Sequence, residues 1–150
     1  MTSNSTAATF DRTLNRLHDL DASTLAPSGA WDAARIFDHL AQGVEFSMVG
    51  YPVLKPRIFR STVGALAFHV FQWRGRMSHG LDQDIPGEII APANADPEQA
   101  RQRLLSALDR FDAFDHTLCP HFAYGNLTKA QYARAHVFHI ENHLEECDIA

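Results

Sequence analysis

Three histidines lie close together near the C-terminus, in the segment AHVFHIENHLEE at positions 135–146. His139 and His143 are one helical turn apart in sequence, so on a helix their imidazoles share a face and can reach one metal ion. His136 lies on the same stripe. The metalloprotease motif HExxH is absent, because Glu141 falls one position late. The alternative is an ordinary helix, since a chain with nine histidines contains such pairs by chance.

A metal ion in a helical protein normally takes ligands from more than one helix, so a third ligand is expected elsewhere in the chain. His39 is the best candidate, because it lies on or beside the inward stripe that Ile36, Phe37 and Leu40 define. A titratable side chain there needs a partner, and a metal shared with two histidines would supply one. Three imidazoles with an open position are the usual form of a catalytic zinc centre, although imidazole also suits nickel, iron and copper. The alternative is a structural histidine held by hydrogen bonds.

Composition favours a single soluble globular domain over residues 1–150. The chain is 45% apolar, and its net charge of −5 comes without a Lys/Arg cluster, so nucleic acid is not an expected partner. Its two cysteines form no CxxC motif, which favours a reducing compartment. The segment MTSNSTAATF lacks the features of a signal peptide, and the apolar run VGALAFHVF is too short to span a bilayer. We therefore expect a cytoplasmic protein with no membrane partner.

Apolar residues recur at helical spacing along most of the chain, and no segment shows the sustained alternation of a strand. The sequence predicts an all-α fold, a four-helix bundle with an additional short N-terminal helix. Ser28 is a candidate cap for the second helix, as Asp96 and Thr128 are for the last two. The third helix is apolar nearly all round and is expected to be buried. The predicted helices span residues 6–20, 30–50, 57–77, 96–116 and 128–147, with long loops at 78–95 and 117–126.

Three motifs stand in order between residues 28 and 146: WDAARIFDHLAQ from Trp31, HFAYGNLT from His121 and HIENHL from His139. They resemble the Trp-led second helix with its HL element, the HPxxGxLT loop and the closing HxxHHL helix of a domain of unknown function within the DinB-like superfamily of metalloenzymes. The chain departs from this pattern at three positions. Phe122 replaces a proline, Asn142 replaces a histidine, and Glu146 stands where a glutamine is common.

The resemblance implies a DinB-like bundle that holds a divalent metal ion, zinc or nickel, through His39, His139 and His143. Characterised relatives include thiol-dependent S-transferases and a thiol-dependent isomerase. The resemblance therefore also implies a small-molecule substrate and a low-molecular-weight thiol as cosubstrate. The changes at Phe122 and Asn142 fall outside these three ligands.

Four further residues are candidates for roles around such a centre. His121 is placed by the resemblance near the mouth of the bundle, where it would contact substrate or transfer a proton, unless it is a capping or surface histidine. Glu146, one turn after His143, would hydrogen-bond a ligand or act as a base, or it is a solvated charge at the helix end. His136 is a candidate fourth ligand, or a hydrogen-bond donor to one, with an exposed helix edge as the alternative. Asn142 would alter the surroundings of the ligands.

Two functions are consistent with these features. The first is a metal-dependent enzyme, an S-transferase or a hydrolase, that acts on a small molecule. The second is a non-catalytic helical module for binding or oligomerisation, whose metal is structural or lost. The apolar helix at 57–77 fits an oligomer, such as a homodimer, as well as it fits a monomer. The loop at 78–95 either closes over the site or packs against a partner subunit.

Overall fold

The computed structural model describes residues 2–77 and 83–149, and within these ranges the protein is mostly helical. The all-α prediction is confirmed. Residues 78–82 of the predicted long loop lie outside the described ranges. A π-helical segment, Arg60–Gly64, joins the helix Arg57–Phe59 to the helix Ala65–Arg74, and the three form one continuous helix. In the part of the chain that is described, no helix is both long and apolar enough to cross a bilayer. The helices are α1, Thr2–Asp19; α2, Ala33–Val49; α3, Arg57–Phe59; α4, Ala65–Arg74; α5, Pro97–Ala113; and α6, Lys129–Glu146.

Four long helices enclose one core. α2 packs against α5 and α6, and α1 packs against the same two helices. α1 has 18 residues, as many as α6, and it contributes Phe10 and Leu17 to the core. The prediction of a short additional N-terminal helix is therefore wrong, because the first helix is one of the four long helices that pack around the core. Large core side chains of the other three helices include Ile36, Phe37, Leu40, Leu104, Leu105, Leu108, Phe111, Tyr132, Ile140 and Leu144.

The continuous helix formed by α3, the π segment and α4 lies on the surface, so the prediction that it is buried all round is wrong. Of its residues only Gly64 and Phe68 are buried. They pack against the loop that follows α5, where the rings of Phe68 and Tyr124 lie 5.3 Å apart. A Cβ added at Gly64 would lie 1.7 Å from the backbone oxygen of Ala123, so a glycine permits this close approach. Because the four long helices already fill the core, the opposite face of this helix stays exposed.

Helix caps fix the start of both helices that carry the predicted ligands. The Asp32 side chain accepts a hydrogen bond from the Arg35 amide at 2.8 Å and caps α2, so Ser28 is not its cap. Thr128 and Gln131 form a reciprocal capping box at the start of α6, as the prediction for Thr128 required. Asp96 caps α5, with proline at the first helical position, as predicted. These caps fix the residue at which each helix begins.

Two short strands, Leu25–Pro27 and Cys147–Ile149, form an antiparallel pair that the sequence did not reveal. Leu25 pairs with Ile149 and Pro27 with Cys147. Three residues are too few to show the alternation by which a strand is recognised. Next to the pair, the Ser28 amide donates to the Glu146 carbonyl at 3.3 Å. The strands therefore hold the end of α6 beside the segment that leads into α2.

Candidate metal centre

The structure brings the three predicted ligands together. His39 comes from α2, and His139 and His143 come from successive turns of α6. One ring nitrogen from each histidine lies within 4.8 Å of those of the other two. His39 and His143 are buried, and His139 is partly buried. The ring centroids are separated by 4.8 Å, 5.2 Å and 5.1 Å. The three side chains could therefore hold a metal ion, which the spacing of the histidines and the resemblance had both predicted.

One pair of donor atoms lies at about the separation that a shared ion requires. The Nε2 atoms of His39 and His139 are 2.9 Å apart. Two nitrogens that each bind one ion at about 2.1 Å lie roughly 3.0 to 3.4 Å apart at octahedral or tetrahedral angles. Two imidazole nitrogens this close need either a shared proton or a shared cation between them. The residues present therefore fit a divalent metal ion of the kind that imidazole binds.

A buried carboxylate orients the first of these ligands. Nδ1 of His39 donates to Oε2 of Glu88 at 2.7 Å, and the side chain of Glu88 is only 1% exposed. Arg35 donates to the other carboxylate oxygen at 2.7 Å, which compensates the buried charge. Because the carboxylate offers only acceptors, the proton of the bond belongs to Nδ1, and when the ring is neutral Nε2 carries the lone pair. That lone pair faces His139, as a metal ligand requires.

Sequence reasoning missed Glu88. It lies in a segment without regular secondary structure, where no spacing rule links it to a helix. The available signal was Arg35, one turn before His39 on the same face of α2, since a charged side chain near a core stripe needs an acidic partner.

Trp31 forms one wall of the site. Its ring stacks on His143 with centroids 5.9 Å apart and meets His39 edge-on at 4.9 Å. The guanidinium of Arg35 lies over the Trp31 ring, 4.6 Å from the centroid. This packing limits the access of water to two of the three imidazoles, and such shielding strengthens polar interactions at the site.

The structure places Glu146 beside the site. Its side chain is 4% exposed, and Oε2 lies 3.9 Å from Nδ1 of His143. The interpretation of Glu146 as a solvated charge is therefore wrong. The side-chain nitrogen of Asn142 is buried and makes no hydrogen bond to any described residue, the three histidines included. The Asn142 amide nitrogen therefore donates to none of the three predicted ligands.

His136 is buried, so the alternative of an exposed helix edge is wrong. It is not one of the three clustered histidines. Its Nε2 lies 3.2 Å from the Ser47 hydroxyl, and its ring packs between Phe111 and Tyr132, with centroids 4.8 and 5.4 Å away. Burial lowers the pKa of His136 to about 3, so the ring is neutral at physiological pH.

A cavity of about 530 Å³ opens beside the histidine cluster. His39 and His139 form part of its lining, together with aromatic residues such as Tyr51, Phe122 and Tyr124. Lys55 and Asp84 also line it. The cavity therefore combines apolar surface with polar groups, as small-molecule sites do.

His121 lines the same cavity, which agrees with its predicted position near the site. Its Nδ1 accepts hydrogen bonds from the amides of Ala123 and Tyr124, both at 3.1 Å. The ring stacks on Tyr124 with centroids 4.2 Å apart. Burial, and secondarily the neighbouring His136, lower the pKa of His121 to about 3. The neutral ring then carries its proton on Nε2, so His121 can donate a hydrogen bond to a ligand.

Residues 4–148 match a family described as protein of unknown function (DUF1569), and the chain belongs to this family. No curated protein and no solved structure matches the chain. The family description names no activity, so the function has to be argued from the site itself.

We expect His121 and His136 to stay neutral throughout the mildly acidic range, because their pKa values are lowered to about 3. The ring-carbon NMR shifts of both residues, followed from pH 7.5 to the acid limit of the fold, should remain flat. His116, whose side chain is 81% exposed, serves as the comparison residue. In the unfolded chain both imidazoles have their ordinary pKa of 6.5. Below that pH the unfolded chain binds protons that the folded protein does not, so both residues reduce the stability of the fold as pH falls below 6.5. A transition near pH 6.5 at His121 would contradict this assignment.

Proposed function

We propose that the protein is a metal-dependent enzyme that acts on a small molecule, with a divalent ion, zinc or nickel, bound by His39, His139 and His143. One observation carries the proposal. The Glu88 carboxylate holds the Nδ1 proton of His39, so the lone pair of Nε2 is directed at a second imidazole nitrogen 2.9 Å away. A purely structural histidine pair does not require this buried carboxylate.

The helical framework supports a DinB-like four-helix bundle. One proposed ligand lies on α2 and an i, i+4 pair lies on the last helix, which is the arrangement implied by the resemblance. The four long helices pack around one core, and the ligands come from the facing helices α2 and α6. Because Cys119 and Cys147 are both thiols, a reducing cytoplasmic compartment is part of the proposal.

The chain's own residues would then have distinct tasks. Three neutral imidazoles would hold the ion, which supplies the Lewis acidity that makes a thiol or a water molecule nucleophilic at neutral pH. Glu88 orients His39, and Trp31 limits water beside His39 and His143. The aromatic wall of the cavity would pack on the apolar part of the substrate. His121 would donate a hydrogen bond to it. Glu146 is the candidate for holding a proton next to His143.

A thiol cosubstrate can be tested with the cobalt-substituted protein. We expect addition of L-cysteine or glutathione to Co²⁺-loaded protein to produce thiolate-to-cobalt charge-transfer bands in the near-ultraviolet spectrum, because thiolates are good ligands for such an ion. Serine and S-methylglutathione serve as controls without a thiol, and His139→Ala protein controls for free cobalt–thiol complexes. Cobalt bound without any spectral response to thiols would favour the hydrolase over the S-transferase.

A second candidate function, a helical module that self-associates, is favoured by the exposed face of the surface helix. Val63, Leu66, Val70 and Trp73 are all exposed, with Leu66 at 65% and Trp73 at 88%. Their spacing of three, four and three residues is that of a coiled-coil seam. Contiguous exposed apolar side chains of this kind commonly mark interaction sites.

Sedimentation velocity at micromolar concentration tests the second candidate. We expect the wild-type protein to sediment as a dimer and the Leu66→Glu variant as a monomer. In a dimer of the variant, the two introduced carboxylates, one from each copy, would be buried against each other without cationic partners. Ser61→Glu adds the same charge at an exposed position outside the seam and should leave the dimer intact. A monomeric wild-type protein would rule out the homodimer.

A further inference from the structure

One face of α2 holds the segment from Asp84 to Ile89. Arg35, His39 and Gln42 are spaced at i, i+4 and i+7, so their side chains project from the same face of the helix. Each of the three contacts this segment, which we call the wall segment because Asp84, Ile85 and Pro86 line the cavity. The face that carries one proposed metal ligand therefore also holds part of the cavity wall.

The contacts between α2 and the wall segment are mostly polar. Arg35 donates to Asp84 and to Glu88, and His39 donates to Glu88. The Gln42 side chain donates to the Ile89 carbonyl at 2.7 Å and accepts from the Ile89 amide at 2.8 Å. Ile85 adds an apolar contact, since it lies near Gly43. The wall segment has no regular secondary structure of its own, and these bonds hold it against α2.

His39 belongs to both the wall segment and the proposed metal centre. Its Nδ1 bonds to Glu88, and its Nε2 faces His139. A neutral imidazole has one N–H and one lone pair. Coordination at Nε2 requires the lone pair there and leaves the N–H at Nδ1, where Glu88 needs it. In the other tautomer the Nδ1 lone pair would face the carboxylate, and the bond between His39 and Glu88 would be lost.

From this shared ring we propose that metal binding and docking of the wall segment are coupled through His39, with Glu88 as the positioning residue. This inference rests on the proposed metal site. Because coupling between two binding events is reciprocal, the ion favours the docked wall segment, and the docked segment raises affinity for the ion. The metal then favours the state in which the substrate cavity has its Asp84–Pro86 wall.

Hydrogen–deuterium exchange and zinc affinity test the coupling without any enzyme assay. We expect zinc to slow amide exchange in peptides covering 84–90 of the wild-type protein. Exchange in α5, which contributes none of the three proposed ligands, should not change. In Glu88→Ala the effect of zinc on these peptides should disappear. Zinc affinity, measured by competition with a chelator, should fall about 10- to 100-fold, as is typical when the hydrogen-bond partner of a ligand histidine is removed.

Two variants serve as controls. Glu88→Gln keeps an oxygen that accepts the Nδ1 proton, so it should retain most of the zinc affinity and part of the exchange effect. Asp109→Ala removes an exposed carboxylate from α5, which contributes none of the three proposed ligands. We expect zinc affinity and the exchange effect in Asp109→Ala to stay close to those of the wild type.

The possible results separate the coupling from the metal site. Wild-type protein that binds zinc with no change of exchange at 84–90 would overturn the coupling and leave the proposed function standing. Equal zinc affinity in Glu88→Ala and the wild type would do the same. A wild-type protein that binds neither zinc nor nickel would overturn both. If circular dichroism shows that Glu88→Ala is unfolded, the exchange of the wild type with and without zinc, together with Glu88→Gln, decides the question.

Discussion

The site depends on the ring of His39, which has a carboxylate on one side and a second imidazole on the other. Burying these polar groups is unfavourable unless each finds a partner. Glu88 satisfies Nδ1 of His39, and Arg35 in turn compensates the charge of Glu88. Removing one member would leave a buried charge without compensation, which costs more than the net contribution of the pair. The three residues therefore act as one unit that connects the cavity wall, helix α2 and the histidine cluster.

The helices matter because they bring His39 to the pair on α6 at the correct rotation. Asp32 starts α2 two turns before His39, and the capping box of Thr128 and Gln131 starts α6. The strand pair that joins the two segments holds the end of α6 near the start of α2. That connection places Trp31, just before α2, against His143. It also brings Glu146 beside the same histidine. The surroundings of His143 are thus set by contacts between chain segments that are far apart in sequence.

The parts of this architecture that follow from local periodicity could be predicted from the sequence. Three such features depend only on residues a few positions apart. They are the helical conformation of the long segments, the caps at Asp96 and Thr128, and the shared face of His139 and His143. Phe10 and Leu17 have helical spacing, but spacing does not reveal that their helix is as long as the others and completes the core. The prediction that the surface helix is buried was wrong for a related reason. Apolar residues all round favour burial, but here only the side with Gly64 and Phe68 has a surface to pack on. Glu88 could not be predicted, because a segment without periodicity gives no signal of what it contacts.

The most direct test of the metal centre is the metal content of protein purified without a histidine tag, measured by mass spectrometry. Wild type is compared with His39→Ala and His143→Ala, and with His116→Ala as a control at an exposed histidine outside the cluster. The account predicts near-stoichiometric zinc or nickel in the wild type and in His116→Ala, and its loss in the other two variants. Wild-type protein without metal, even after incubation with zinc or nickel, would contradict the account, as would unchanged metal content in His39→Ala and His143→Ala.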